Sequence, residues 1–125
     1  MYIKAAEDAS QRTATATTVY NKLVMTGRIK VSGDIRSIVK LVAPADYRYW
    51  IEYLFYNCAS LTTAPELPET TLIDYCYAYM FYYCTSLTQA PKLPATTLAT
   101  YCYYGMFYGC TSLISAPDLP TTNLA

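Results

Sequence analysis

The sequence predicts an α/β repeat solenoid, a coil with a short parallel strand ladder on one face and short helices or turns on the other. Three observations predict it. From residue 49 to the end the chain repeats itself with a period of 26, which carries Tyr49 to Tyr75 and Tyr75 to Tyr101. Each period divides into a proline-bearing extended half and an aromatic half. No single period can bury its own apolar side.

Written from Tyr49, Tyr75 and Tyr101, the units read YWIEYLFYNCASLTTAPELPETTLID, YCYAYMFYYCTSLTQAPKLPATTLAT and YCYYGMFYGCTSLISAPDLPTTNLA. Tyr, Phe, Cys, Ser, Leu, Ala and Pro recur in the same columns, so these are units 49–74, 75–100 and 101–125. The same register, carried back by one further period, finds a degenerate unit at 29–48 that has lost its prolines and cysteine. There Ile35, Ile38 and Leu41 fall where Leu61, Ala64 and Leu67 lie, and Ile29 falls under Phe55. Residues 1–28, rich in Ala and Thr, read as a leader and amino-terminal cap, and residues 29–125 as the solenoid.

The segment Leu61 to Pro68 is extended by necessity. Pro65 and Pro68 forbid an interior helix and push the residues before them into β or polyproline conformations. The aromatic half supports two readings. In Tyr75 to Cys84 a period of two puts Cys76, Ala78 and Met80 on one face, as in a strand. A helical period groups Leu72, Cys76, Met80 and Cys84, and Trp50, Leu54 and Cys58 keep the same spacing. The helical reading is preferred, because Pro44-Ala-Asp46 supplies an amino-cap signal in front of Tyr47–Tyr56. Gly105 and Gly109 weaken that helix in the last unit by about 1 kcal/mol each.

Energetics then require stacking. Fixing backbone costs roughly 1–2 kcal/mol per residue, whereas each large apolar side chain returns about 1.5–3 kcal/mol on burial. One unit has too few such side chains to fold alone. Strands of successive units are expected about 4.8 Å apart in a parallel ladder.

The pattern Cys58-x2-Leu61-x2-Ala64-Pro65-x-Leu67-Pro68-x3-Leu72, followed by Met80-Phe81-x2-Cys84-x2-Leu87 and again by Met106-Phe107-x2-Cys110-x2-Leu113, resembles the BspA-like leucine-rich repeat of bacterial surface proteins of Bacteroidetes type. The resemblance covers residues 49–125 and extends loosely over 29–48. With a period of 26, these units are longer than that family's usual repeat. The resemblance implies a leucine-rich-repeat-like right-handed coil and a place at the cell surface or in a secreted protein.

Composition excludes several function classes. Nine basic and nine acidic residues cancel, so no global field draws in nucleic acid or an anionic membrane. The charge is polarised, however: residues 1–48 sum to +4 and residues 49–125 to −4. No run of about 18 apolar residues marks a membrane span. The chain shows neither the apolar core of a signal peptide nor an Asn-x-Ser/Thr sequon. It stops inside the third full unit without a polar cap, and self-association through that uncapped carboxy-terminal rung, or continuation of the native protein, is expected.

Five cysteines in a chain without histidine invite a metal or redox reading, and spacing argues against it. Cys76 and Cys84 are about 12 Å apart on a helix, too far for a disulfide, and their spacing is not that of a zinc site. Cys58, Cys84 and Cys110 should form a column of small buried hydrophobes. Serine and threonine are plentiful, but their usual base is absent, and no catalytic residue, cofactor or metal site is assigned. Glu66, Lys92 and Asp118 align as a minus–plus–minus ladder expected to help fix register.

The fifteen tyrosines carry the functional reading. Tyr77, Tyr103 and Ile51 are expected to point partly inward. Three columns face outward: Tyr49/Tyr75/Tyr101, Tyr53/Tyr79 and Tyr56/Tyr82/Tyr108, with Tyr104 beside them in the last unit. Tyrosine offers wide contact area with a polar tip and little entropy to lose, which suits a protein or glycan partner. Thr62, Thr63, Thr88, Gln89 and Ser115 make a second, polar surface over the extended halves. The expectation is a non-enzymatic recognition or adhesion module of a surface or secreted protein. The alternative is a structural spacer or assembly segment, in a multidomain protein or a phage virion, with no ligand of its own.

Overall fold

The computed structural model describes residues 27–37 and 51–120. Most of the expected leader, the Pro44-Ala-Asp46 cap, Ile38, Leu41, Tyr49, Trp50 and the last five residues lie outside the described residues.

Strand β1 (Ile29–Lys30) pairs in parallel with β2 (Leu61–Thr63). Ile29 N–H donates to the Ser60 carbonyl at 2.9 Å and Val31 N–H to that of Thr63 at 3.0 Å. The two chains stay paired farther on, where Glu66 N–H donates to Gly33 and Ile35 N–H to Glu66. Ile35–Ser37 then forms a single 3-10 turn. Asp34 initiates it, its carboxylate accepting from the Arg36 N–H at 2.8 Å and from the guanidinium of the same residue.

The register differs from the one expected. Leu61 stands opposite Ile29 and Glu66 opposite Asp34, whereas the repeat sets Ile35 beneath Leu61. The observed pairing places Val31 and Ile35 in the core, both essentially inaccessible, and lets the Asp34–Arg36 turn end the strand. The degenerate unit lacks the prolines and cysteine that pin the later units, so burial of these two side chains decides its register.

The strand ladder is also shorter than expected. Among the described residues no third strand joins β2. Residues 65, 68, 91, 94, 117 and 120, all proline, have no N–H to donate across units, and the extended halves meet in one further parallel bridge, Thr71 to Thr97. Thr88 Oγ1, donating to the Thr62 carbonyl, and Ile114 N–H, donating to Thr88, hold the extended halves in place of a ladder.

The aromatic halves carry most of the bonding between units, and they are not helical: among the described residues there is no α-helix. From Tyr75 to Cys84 the backbone is a ribbon of overlapping turns. N–H groups of even-numbered residues bond back three residues: Ala78 to Tyr75, Met80 to Tyr77, Tyr82 to Tyr79 and Cys84 to Phe81. N–H groups of odd-numbered residues bond forward to the next unit: Tyr75 to Thr100, Tyr77 to Cys102, Tyr79 to Tyr104, Phe81 to Met106 and Tyr83 to Tyr108, at 2.7–3.0 Å. Residues 53, 55 and 57 repeat this pattern against 78, 80 and 82. Every turn therefore satisfies one donor and one acceptor locally and one of each across units, which an α-helix, saturating its groups within itself, does not do.

The geometry has a conformational cost. Every fourth residue is left-handed: Tyr53 and Asn57, Tyr75, Tyr79 and Tyr83, then Tyr101, Gly105 and Gly109, with φ between 54° and 75°. For a non-glycine residue this costs roughly 1–2 kcal/mol. The tyrosines tolerate it because the unit above receives the N–H of each of Tyr53, Tyr75, Tyr79 and Tyr83 and stacks on the ring of each of Tyr53 and Tyr75.

Inside the ribbons and extended halves, like side chains stack into the core. Phe55, Phe81 and Phe107 lie nearly parallel, with ring centroids 5.5 and 5.7 Å apart. Leu54, Met80 and Met106 form a second buried column, and Leu61 and Leu87 a third. Burial fades toward the last unit: Leu67 and Leu93 are 2% and 4% exposed, whereas Leu119 in the same column is 54% exposed.

Candidate functional site

The turn ribbon decides where each tyrosine stands. Tyr53 stacks on Tyr79 (4.8 Å between centroids), Tyr75 on Tyr101 (5.2 Å), and Tyr56, Tyr82 and Tyr108 form a continuous stack (5.0 and 4.9 Å). A tilted contact, Tyr53 to Tyr56, and edge contacts, Tyr79 to Tyr82, Tyr79 to Tyr104 and Tyr101 to Tyr104, join the columns. The result is one contiguous aromatic wall. Of the residues expected there, Tyr53, Tyr56, Tyr75, Tyr79 and Tyr82 are half-buried within it. Tyr101, Tyr104 and Tyr108 are exposed by 53%, 52% and 59%. Tyr49 lies outside the described residues.

Tyr77 and Ile51 are fully buried, and Tyr103 is half-buried, stacked 6.1 Å from Tyr77. Burial raises the Tyr103 phenol well above its ordinary value. Tyr79 is also raised, first by burial and then by a hydrogen bond with Tyr104. These phenols are neutral polar groups at physiological pH and bring hydrogen-bonding capacity, not charge, to the wall.

Tyr83 was not among the expected surface residues. It is 43% exposed and meets Tyr82 and Tyr108 edge-on. Its column is Asn57/Tyr83/Gly109, and the Asn and Gly in it were the available sign of left-handed backbone. The glycines also make room. A β-carbon on Gly105 would lie 2.8 Å from the Tyr79 ring, and one on Gly109 2.7 Å from that of Tyr83.

The cysteines are free, and all but Cys110 are buried. They are more than apolar filler. Cys84 Sγ donates to the Phe55 carbonyl and Cys110 Sγ to the Phe81 carbonyl, each at 3.1 Å and each reaching the preceding unit. Burial pushes the Cys76 thiol up to about 12 and also raises Cys84 and Cys110. At neutral pH these three side chains are therefore held as thiols rather than thiolates. Among the described residues no group of three or more His, Cys, Asp or Glu is placed to hold a metal ion. None has a helix long and apolar enough to cross a membrane.

The expected charge ladder does not form as ion pairs. Among the described residues the ion pairs are those of Arg36, with Asp34 and, at 3.6 Å, with Glu69; Lys92 bonds neither Glu66 nor Asp118. Lys92 and Asp118 instead line an open groove of about 430 Å³ between the extended halves of the last two units, with Gln89, Pro91, Ser115 and Pro120. The side chains of the last extended half are mostly exposed. Of the expected polar surface, Thr63, Thr88, Gln89 and Ser115 are exposed, while Thr62 donates to the Ile29 carbonyl at 2.9 Å.

No protein-family model, curated protein or solved structure matches the chain.

Proposed function

We propose that this chain is a non-enzymatic recognition module, a repeat solenoid that presents its tyrosine wall to a protein or glycan partner. The observation that carries the reading is the contiguous set of stacked rings ending in Tyr101, Tyr104 and Tyr108, each more than half exposed. Stacked rings are already ordered, so a partner binds them without the entropy loss that flexible side chains impose. Sugar rings and apolar protein surfaces both suit a flat aromatic face edged by hydroxyls. The resemblance of the repeat to BspA-like leucine-rich repeats supports a place on a bacterial surface or in a secreted protein.

The test is binding of the full chain to glycan and extracellular-matrix arrays, compared with a Tyr101→Ser/Tyr104→Ser/Tyr108→Ser variant. Hits that the triple variant loses while keeping its fold support the reading. An absence of hits for the full chain, with substitutions altering stability alone, favours the alternative, a structural spacer or assembly segment. The interlocking hydrogen bonds between units are the observation that favours that second reading.

A further inference from the structure

The aromatic wall holds a pair of phenols that bridges two units. The ring of Tyr79, in unit 75–100, meets that of Tyr104, in unit 101–125, at 5.2 Å between centroids and nearly at right angles. Their hydroxyls share a hydrogen bond, which sets the oxygen-bearing ends of the two rings against each other. Gly105 makes this approach possible. Two carbons of the Tyr79 ring lie 2.8 Å from where a β-carbon of Gly105 would stand, so a side chain there would displace the ring. The backbone fixes the pair as well, because Tyr79 N–H donates to the Tyr104 carbonyl at 2.8 Å.

We propose that Tyr79 and Tyr104 form a site of oxidative modification, at which a haem peroxidase and hydrogen peroxide join the two rings as dityrosine and staple one unit to the next. Each phenol loses one electron and one proton, and together they reduce one hydrogen peroxide to two waters. A phenoxyl radical carries its unpaired electron partly on the carbons beside the oxygen. Those carbons lie at the ring ends that the hydrogen bond brings together. Coupling pairs the two electrons in a carbon–carbon bond. Each joined carbon then gives up its hydrogen as a proton and each oxygen regains one, which restores both aromatic rings and both hydroxyls. The net change is the loss of two hydrogen atoms.

Oxidation reaches the pair from solvent through rings in contact. Tyr83, 43% exposed in unit 75–100, lies 4.8 Å from Tyr82, and Tyr82 lies 5.6 Å from Tyr79. An electron taken from Tyr83 is therefore replaced from Tyr82 and then from Tyr79. The thiols do not consume the peroxide first, since peroxide attacks thiolates and burial holds Cys76, Cys84 and Cys110 as thiols.

The test treats the full chain with a haem peroxidase and hydrogen peroxide and then digests it with trypsin. No Lys or Arg other than Lys92 follows Arg48, so Tyr79 and Tyr104 fall in different tryptic peptides, 49–92 and 93–125. The expected product is a monomeric chain with dityrosine fluorescence, at a yield independent of protein concentration. Its two peptides stay joined with the mass of two hydrogens missing, and fragmentation places the bond between Tyr79 and Tyr104. Tyr104→Phe keeps a ring but has no phenol to oxidise, and should lower this product at least about tenfold. Tyr108→Phe, in the neighbouring stack, should leave it within about twofold. A bond mapped to another pair overturns the proposal. So does a joined product that survives Tyr104→Phe, crosslinking only between chains, or loss of free thiols without dityrosine. Mapping on the chain without substitutions decides the matter even where a variant does not fold. The bond forms with or without a partner on the wall, so its absence leaves the recognition reading standing.

Discussion

The ring of Tyr83 lies across Gly109, with its Cδ1 2.7 Å from where a β-carbon would stand. Gly109 is thus doubly constrained, by its φ of 75° and by the ring of the unit before it. Gly109→Ala should destabilise the protein by about 2–3 kcal/mol, of which roughly 1–2 kcal/mol is the left-handed backbone. Gly27 isolates the backbone share: its φ is also positive, at 79°, yet no atom lies within 4 Å of its β-position. Urea denaturation of both variants checks the prediction, with Gly109→Ala the more costly. Equal losses would show that the Tyr83 ring moves aside freely.

The cysteine columns predict an order of reactivity. All three thiols are raised by burial, but Cys76 and Cys84 are fully buried whereas Cys110 is half-buried in the last unit. Alkylation under native conditions should modify Cys110 first, with Cys76 and Cys84 slower by about a hundredfold because they react only after local opening. Mass spectrometry of partially labelled protein reads the order directly. Early modification of Cys84 would contradict its hydrogen bond to Phe55.

The period and the column partners are legible because they depend on residue identity alone: Phe55, Phe81 and Phe107 recur once in each unit and stack. The backbone of the aromatic half is not legible in the same way. Its left-handed residues recur every four positions, and a four-residue repeat in Cys76, Met80 and Cys84 is nearly the spacing of a helix. Asn57, Gly105 and Gly109 carried the discriminating signal, but read singly the glycines resemble a weakened helix instead of a series of turns. The register of the degenerate unit was hidden for another reason. With no proline or cysteine in the columns where the later units carry them, burial of Val31 and Ile35 selects it, and that is a tertiary choice. The thiol donors of Cys84 and Cys110 were invisible because their acceptors are backbone carbonyls of the unit before.

Lys92 gives a prediction from what the ladder lacks. An ion pair within a stacked ladder would contribute about 0.2–1 kcal/mol, but Lys92 is exposed and bonds neither acidic neighbour in its column. Lys92→Gln should therefore change stability by less than about 0.5 kcal/mol, and adding salt should not alter the difference. Thermal denaturation at low and high ionic strength checks it. A larger, salt-sensitive loss would mean that the ladder closes in solution.

Alkaline pH should destabilise the fold through its buried thiols. An ordinary thiol ionises near 9.0, while Cys76 is held up to about 12 by burial, and burial raises Cys84 and the Tyr103 phenol as well. Above pH 9 the unfolded chain has lost protons that the folded chain still binds, so stability falls as pH rises. The contribution of Cys76 is intact below about 9 and is lost progressively up to about 12, at roughly 1.4 kcal/mol per pH unit. Exposed tyrosines also ionise over this range, so the slope of the whole protein does not isolate the thiol. Cys76→Ala separates the two: it lowers stability at pH 8 by leaving a cavity, yet its urea midpoint should decline less steeply from pH 9 to 11 than that of the unmodified chain. Parallel declines in the two proteins would place the alkaline sensitivity in the phenols instead.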